Sequence, residues 1–182
     1  ILPALVKHPH ITITAAANRS GRGLEEFARD FQAETYRSIE DLCKSPSVDA
    51  VYIATPTHLH TTHVVMAAEH HKHILIEKPM AITLADADKM IRATESNGVQ
   101  MVVGHSHSFD PPIRKIREIV RSGALGKVRM INNWYFTDWL YRPRIAEELD
   151  TQQGGGVTFR QGSHQFDIIR LIGGGLVRSV RA

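Results

Sequence analysis

Four short polar runs each follow an apolar stretch of this chain: Asn18-Arg19-Ser20, Thr55-Pro56-Thr57-His58, Glu77-Lys78-Pro79 and Gly104-His105-Ser106-His107. An arginine beside a hydroxyl suits a phosphate group. An amine such as that of Lys78, once desolvated, can give up its proton and act as a base. Further on, Arg160 stands four residues before His164, and Asp167 three after it, so on a helix all three share a face. Histidine titrates near neutrality and can relay a proton. A guanidinium fork binds a carboxylate through two parallel hydrogen bonds. Proton transfer beside an anion site is the chemistry these spacings allow. The eleven histidines also raise the question of a metal. Their dense spots, His70-His71-Lys72-His73 and His105-Ser106-His107, lack the cysteine or carboxylate company of a zinc signature, so no metal is expected. His70 and His71 suit a helix end, where positive charge is favourable.

Strands alternating with helices must position these groups. Ile11 to Ala17 predicts a strand, as do Val48 to Ala54, His73 to Glu77 and Val99 to Gly104. Helices are predicted at Leu2 to Lys7, Leu24 to Phe31, from Ser38, at His58 to His71, from Leu84 to Gly98 and from Pro111 to Gly123. Ser38 is an N-cap by type, and Thr83-Leu84-Ala85-Asp86 matches a capping box. This alternation argues for an α/β fold with a parallel sheet covered by helices. The pattern then changes across a join near residues 122–127. Val128, Met130, Trp134 and Phe136 alternate with Arg129, Ile131, Asn133 and Tyr135, the period of an antiparallel strand with one face covered. Two domains are expected, residues 1–122 and 123–182.

Composition narrows the class. Hydrophobic residues make up 42% and charged residues 23%, as in soluble globular proteins, which excludes disordered and collagen-like chains. The single Cys43 cannot form an internal bridge. No apolar run is long enough to span a bilayer and no signal-peptide pattern opens the chain, so the cytoplasm is the default location and a membrane is not an expected partner. The net charge of +3 is uneven: residues 1–110 hold 10 Lys/Arg against 13 Asp/Glu, residues 111–182 hold 12 against 6. A basic second part without any nucleic-acid module signature points to a small anionic ligand. The chain starts at Ile1, and Val177 to Val180 reads as a strand in mid-course, so a piece of a longer protein is expected.

Doubly wound sheets bind ligands at the carboxyl ends of their strands, where the four polar runs fall. A dinucleotide fold also needs a glycine-rich turn after its first strand, and no GxGxxG occurs here. The expectation is a Rossmann-type sheet lacking that strand and loop. After the strand ending at Ala17, an acid would bind a ribose 2′-hydroxyl. Asn18, Arg19 and Ser20 instead suit a 2′-phosphate, so NADP joins NAD as a candidate cofactor. His58 and His60 are expected to line the cofactor cleft or cap the next helix.

Ala54-Thr55-Pro56, then His60, then Glu77-Lys78-Pro79, and later Gly154-Gly155-Gly156 through Gly162-Ser163-His164-Gln165-Phe166-Asp167, resemble the glucose–fructose oxidoreductase/inositol dehydrogenase/MocA (Gfo/Idh/MocA) family. The resemblance covers the whole chain in order. Tyr141-Arg142-Pro143-Arg144 through Gly162 is most similar to its phthalate 4,5-cis-dihydrodiol dehydrogenase group. The family implies an N-terminal dinucleotide-binding domain, the start of an α+β domain with an open antiparallel sheet, and a homo-oligomer packed through that sheet. It implies Lys78 beside the nicotinamide and the substrate hydroxyl, His164 as acid/base, Asp167 near it and a cis peptide before Pro79. It further implies Thr55, Pro56, His60 and Glu77, with Lys78, as cofactor contacts. Hydride removal from a carbinol carbon needs the hydroxyl proton taken at the same time. Neutral Lys78 would be the base, and charged Lys78 would instead steady an alkoxide.

One departure is informative. Many family members carry an aspartate where this chain has Arg160. An arginine facing the site suits a carboxylated substrate, with Arg142 and Arg144 as a second clamp. The alternatives are an ion pair between Arg160 and a nearby acid, and solvated loop arginines. The resulting expectation is an NAD(P)-dependent dehydrogenase oxidising a small anionic cyclic cis-dihydrodiol in aromatic breakdown. A sugar or inositol dehydrogenase, and a non-catalytic dinucleotide-binding regulator, are the rival readings.

Overall fold

The computed structural model describes residues 2–138 and 141–181. The first part runs α1 (Leu2–Val6), β1 (Ala15–Ala17), α2 (Leu24–Phe31), β2 (Glu34–Tyr36), α3 (Ile39–Lys44), β3 (Ala50–Ile53), α4 (Thr57–Glu69), β4 (His73–Ile76), α5 (Leu84–Ser96) and β5 (Met101–Val103). A 3-10 turn (Ser106–Phe109), α6 (Pro111–Ser122), α7 (Ala146–Leu149), a second 3-10 turn (Thr151–Gln153), a π turn (Thr158–Gly162) and α8 (Ser163–Gly173) follow.

The strands are parallel throughout. One sheet has the order β3-β4-β5, and β1 and β2 form a separate pair. The register sets Ile53 beside Ile76 and Ile76 beside Val103, so the three polar runs after these strands emerge side by side. The ladder continues past the strand ends, with Glu77 N–H on Ile53 O (2.9 Å) and Gly104 N–H on Ile76 O (2.7 Å). A Cβ at position 104 would stand 3.2 Å from Ile76 O, so glycine lets the two backbones meet.

Ile53, Ile74 and Ile76 pack against α4 and α5, where Val64, Ala67, Ala68 and Met90 are fully buried. The caps form as their types require. Ser38 Oγ accepts from Asp41 N–H (3.4 Å). Thr83 Oγ1 accepts from Asp86 N–H (3.1 Å) while its hydroxyl donates to Asp86 Oδ2 (2.6 Å).

Three expectations are corrected. The strand predicted from Ile11 keeps only its last three residues, because its partner β2 is only three residues long. That partner, Glu34-Thr35-Tyr36, was not expected, being short and polar. The alternating stretch from Val128 to Phe136, and Val177 to Val180, form no ladder among the described residues, so the open antiparallel sheet is not built there. A strand's amides and carbonyls need a neighbouring strand, and alternation alone does not supply one. Trp134 and Phe136 remain 79% and 87% exposed.

Met90→Ala should lower the unfolding free energy by about 2–5 kcal/mol in urea titrations, since it empties a closed site. Leu84→Ala, on an exposed side chain, should cost less than about 0.5 kcal/mol.

Candidate active site

At the end of β1, Asn18 shapes its own loop. Its Oδ1 accepts from Ser20 N–H (3.1 Å) and Ser20 Oγ (2.9 Å), and its Nδ2 donates to Arg22 O (3.0 Å). Asn18 and Ser20 hold each other, and Arg19 stands exposed between them.

After β3 the chain turns at Thr55-Pro56 into α4. Thr55 Oγ1 is bonded to His63 Nδ1 (2.9 Å). Burial, then neighbouring His60 and His58, hold the His63 imidazole below its ordinary range. His60 does not line a cofactor cleft: it is 1% exposed. Its Nε2 lies 2.8 Å from Thr55 O, and its Nδ1 lies 3.1 Å from Pro79 O and 3.2 Å from Met80 O. The ring is committed to backbone carbonyls, so it pins the loop after β3 to the loop after β4.

Along the second loop, Tyr52 O–H donates to Glu77 Oε1 (2.5 Å), and Glu77 Oε2 accepts from Lys78 N–H (3.3 Å). Burial first, and then Glu77, push the Tyr52 phenol up to about 12. The Lys78–Pro79 peptide is cis. Lys78 Nζ donates to Arg160 O (2.5 Å), across 82 residues of chain. Burial lowers the Lys78 amine from its ordinary range. Glu77 opposes that shift, and the Arg160 charge adds to it.

His164 sits on α8 and is 6% exposed. Its ring meets that of His107 edge-on, with centroids 4.5 Å apart, and that of His105 at 6.1 Å. Burial, then Lys78, His107 and His105, press its imidazole down to about 4, against a smaller pull from Glu77. It is neutral near pH 7 and can receive a proton. Its Nδ1 has no hydrogen-bond partner among the described residues, nor has Asp167 Oδ2 one turn further along. His105 and His107 were visible in the sequence as a polar run after a strand, but nothing there assigned them to His164.

The arginines are arranged differently from the expected clamp. The π turn at Thr158–Gly162 interrupts the α-helical spacing before α8. Arg160 brings its carbonyl to Lys78, while its guanidinium Nη2 lies 3.3 Å from Glu148 Oε1. Arg144 Nη1 reaches the same oxygen at 3.5 Å. Glu148, absent from the sequence-based site, joins the two. Arg142 turns away to the local carboxylate of Asp138 (2.9 Å) on the surface. Gly154, at φ +79°, lies against the first turn of α4. A Cβ there would stand 3.1 Å from Thr57 Cγ2 and 3.4 Å from Ile82 Cγ1.

This geometry can be set beside known proteins. The profile of the "Oxidoreductase family, NAD-binding Rossmann fold" matches residues 1–105, and that of the "GFO/IDH/MocA C-terminal domain" matches residues 113–182. The chain belongs to the Gfo/Idh/MocA oxidoreductase family. It is 45% identical over 181 residues to the 1-carboxy-3-chloro-3,4-dihydroxycyclohexa-1,5-diene dehydrogenase of Comamonas testosteroni, covering 99% of this chain and 46% of that one. It is 32% identical over 150 residues to the myo-inositol 2-dehydrogenase of Thermotoga maritima, covering 82% and 43%. A crystal structure from Bordetella bronchiseptica RB50, described as a dehydrogenase, superposes with a TM-score of 0.89 at 42% identity, over 94% of this chain and 45% of that one. The chain thus spans about half the length of the relatives it matches. Both of these relatives are named dehydrogenases, and the first part of the chain is an NAD-binding Rossmann domain.

The residues present suit such a cofactor. The ends of β3, β4 and β5 lie level, with the half-buried Lys78 amine after β4, and an exposed Arg19 follows β1. Arg19 would hold the adenosine side, and Thr55, Pro56, Glu77 and Lys78 the nicotinamide side. Among the described residues, no helix is long and apolar enough to cross a membrane, and no group of three His, Cys, Asp or Glu is placed to hold a metal ion.

With a folded value near 4 and an ordinary value near 6.5, His164 makes the unfolded chain bind the extra proton in that interval. Stability is therefore full above about pH 6.5 and is lost as the pH falls toward about 4. Urea unfolding at pH 7 and pH 5 should show this loss in the wild type and a smaller one in His164→Gln.

Proposed function

We propose that the protein oxidises a carboxylated cyclic cis-dihydrodiol with NAD⁺ or NADP⁺, the leading substrate being the cis-4,5-dihydrodiol of phthalate and the product 4,5-dihydroxyphthalate. The observation that carries this reading is the pair Arg144 and Arg160 on one carboxylate oxygen, in the segment whose carbonyl receives the Lys78 amine. Glu148 shows that this place accepts a carboxylate, and a substrate carboxylate would compete for the same guanidinium groups. The Comamonas testosteroni relative supports the class, since the compound in its name carries a carboxyl group and two hydroxyls on a cyclohexadiene ring. Arg142 leaves the clamp, being held by Asp138.

In this reading the neutral Lys78 amine takes the proton of the reacting hydroxyl. His164, neutral, receives it in turn, and Asp167, one turn further along with its buried Oδ2 unpartnered among the described residues, is the remaining candidate for the proton transfer. Glu77 keeps the loop in place through Tyr52 and tempers the lowering of Lys78. The bound nicotinamide supplies the hydride acceptor. The resulting ketone tautomerises to a catechol, and aromatisation draws the reaction forward. Asn18 and Ser20 act through the loop they build, and His60 through the loops it joins. We hold the boundary of the two domains at residues 122–127, with α6 packing on α8 across it, and expect a homo-oligomer in the cytoplasm.

A second reading has an observation of its own. Glu148 already neutralises part of the arginine charge, which would suit an uncharged polyol, as acted on by the myo-inositol 2-dehydrogenase relative.

The test follows reduced nicotinamide in the full-length protein, with carboxylated cyclohexadiene diols and an uncharged inositol, using each cofactor in turn. Lys78→Met should lower kcat by about 10²–10⁴-fold. Arg160→Met, which keeps the carbonyl that receives Lys78, should raise KM for the carboxylated diol by about 10–100-fold, the worth of charged hydrogen bonds, and leave an uncharged substrate unaffected. Turnover confined to the uncharged polyol would discard the diol and keep the second reading. Arg19→Ala should weaken NADP⁺ and spare NAD⁺ if Arg19 meets a 2′-phosphate.

A further inference from the structure

The proposed oxidation, on which this inference rests, releases one hydride to the oxidised nicotinamide and one proton that must reach water. Neither group that receives this proton is well placed to deliver it, since Lys78 is half-buried and His164 is 6% exposed. Beyond His164 a graded path opens. His107 meets the His164 ring edge-on at 4.5 Å, with planes at 73°. The His107 side chain is 39% exposed, and its Nδ1 lies 2.8 Å from Oδ2 of Asp110, which is 51% exposed. Both residues open on a hollow of about 440 Å³ that Asn132, Asn133 and Gln165 also line, so water can reach them. The His164 Nδ1, deeply buried, has no hydrogen-bond partner among the described residues.

We propose that His107 and Asp110 form a proton exit behind His164, serving as positioning residues that act through it. The proton balance is closed. The hydroxyl proton passes to the Lys78 amine, then to His164, and then by way of water to His107 Nε2, while His107 Nδ1 stays on Asp110. His107 Nδ1 then releases its proton to Asp110 Oδ2, which returns it to water in the hollow. No oxidant beyond the nicotinamide is required. A carboxylate beside an imidazole also fixes which nitrogen carries the proton and steadies the transient cation. Arg160, four residues before His164, is a cation committed to Glu148 and cannot fill that place.

The experiment compares His107→Gln, Asp110→Asn, His164→Gln and Lys78→Met in the full-length protein, on whichever alcohol class it turns over. His107→Gln should lower kcat by about tenfold or more with KM within twofold of wild type. Added imidazole should restore most of that rate, and the solvent deuterium isotope effect on kcat should rise. Asp110→Asn should show the same pattern more weakly. The Asp110 side chain caps no backbone amide, so this variant reports even if His107→Gln unfolds. Wild-type kcat in both variants, or a loss that imidazole leaves untouched, overturns the relay. If Lys78→Met and His164→Gln lose activity while His107→Gln and Asp110→Asn do not, the relay fails and the reading of the site stands. If none of the four loses activity, the reading of the site fails as well.

Discussion

The site depends on one buried imidazole. His60 ties the carbonyl of Thr55, after one strand, to those of Pro79 and Met80, after the next. A parallel sheet brings strand ends level but does not fix the loops that leave them, because the ladder stops where the pleat does. Buried carbonyls left without donors would be costly, and a buried ring left without acceptors would be too. The ring lies within hydrogen-bonding distance of carbonyls on both loops, donates to one side in a given tautomer and packs against the other, and so holds the two loops together. Lys78 directly precedes Pro79, at one end of that pin, and Thr55 is its other end, so the loop that carries the amine is held in place.

On that frame the electrostatics act together. Burial disfavours charge on both Lys78 and His164, and the Lys78 charge presses the His164 imidazole down further. Two bases that disfavour charge in the same place can share one proton but not hold two, which suits a site that must pass a proton on rather than store it. Glu77 moderates the effect without quenching it, since Tyr52 already occupies one of its oxygens. Glu148 plays the corresponding part for Arg144 and Arg160.

Much of this was legible in the chain. The helix caps at Ser38 and Thr83, the limits of α2 and the parallel α/β alternation follow from local chemistry, and they stand where their residue types put them. Lys78 and His164 could be singled out because a motif marks them. The partners were harder to see. Lys78 meets Arg160 across 82 residues, and no local pattern carries that information. His60 lies in a run of histidines where an exposed ligand and a buried pin look alike. Arg160 was assigned a face by α-helical spacing, and the π turn removed the basis for it. The alternating stretch after Val128 had the pattern of a strand but no neighbour, and pairing is not a property of one segment.

The division of the sheets has a consequence for how the molecule moves. Among the described residues, no strand-to-strand ladder joins the β1–β2 pair to β3-β4-β5, and α3 links them by packing on β1, β2 and α4. Side-chain packing without a ladder opens at lower free energy than a continuous sheet. The loop of Arg19 therefore rides on a unit that can breathe by itself, while Lys78 and its pin ride on the unit that holds. Amide exchange would divide the chain into two protection classes, one for each set of strands. A molecule long enough to touch both sides would draw the classes together, so part of the rigidity of this fold is lent by what it binds.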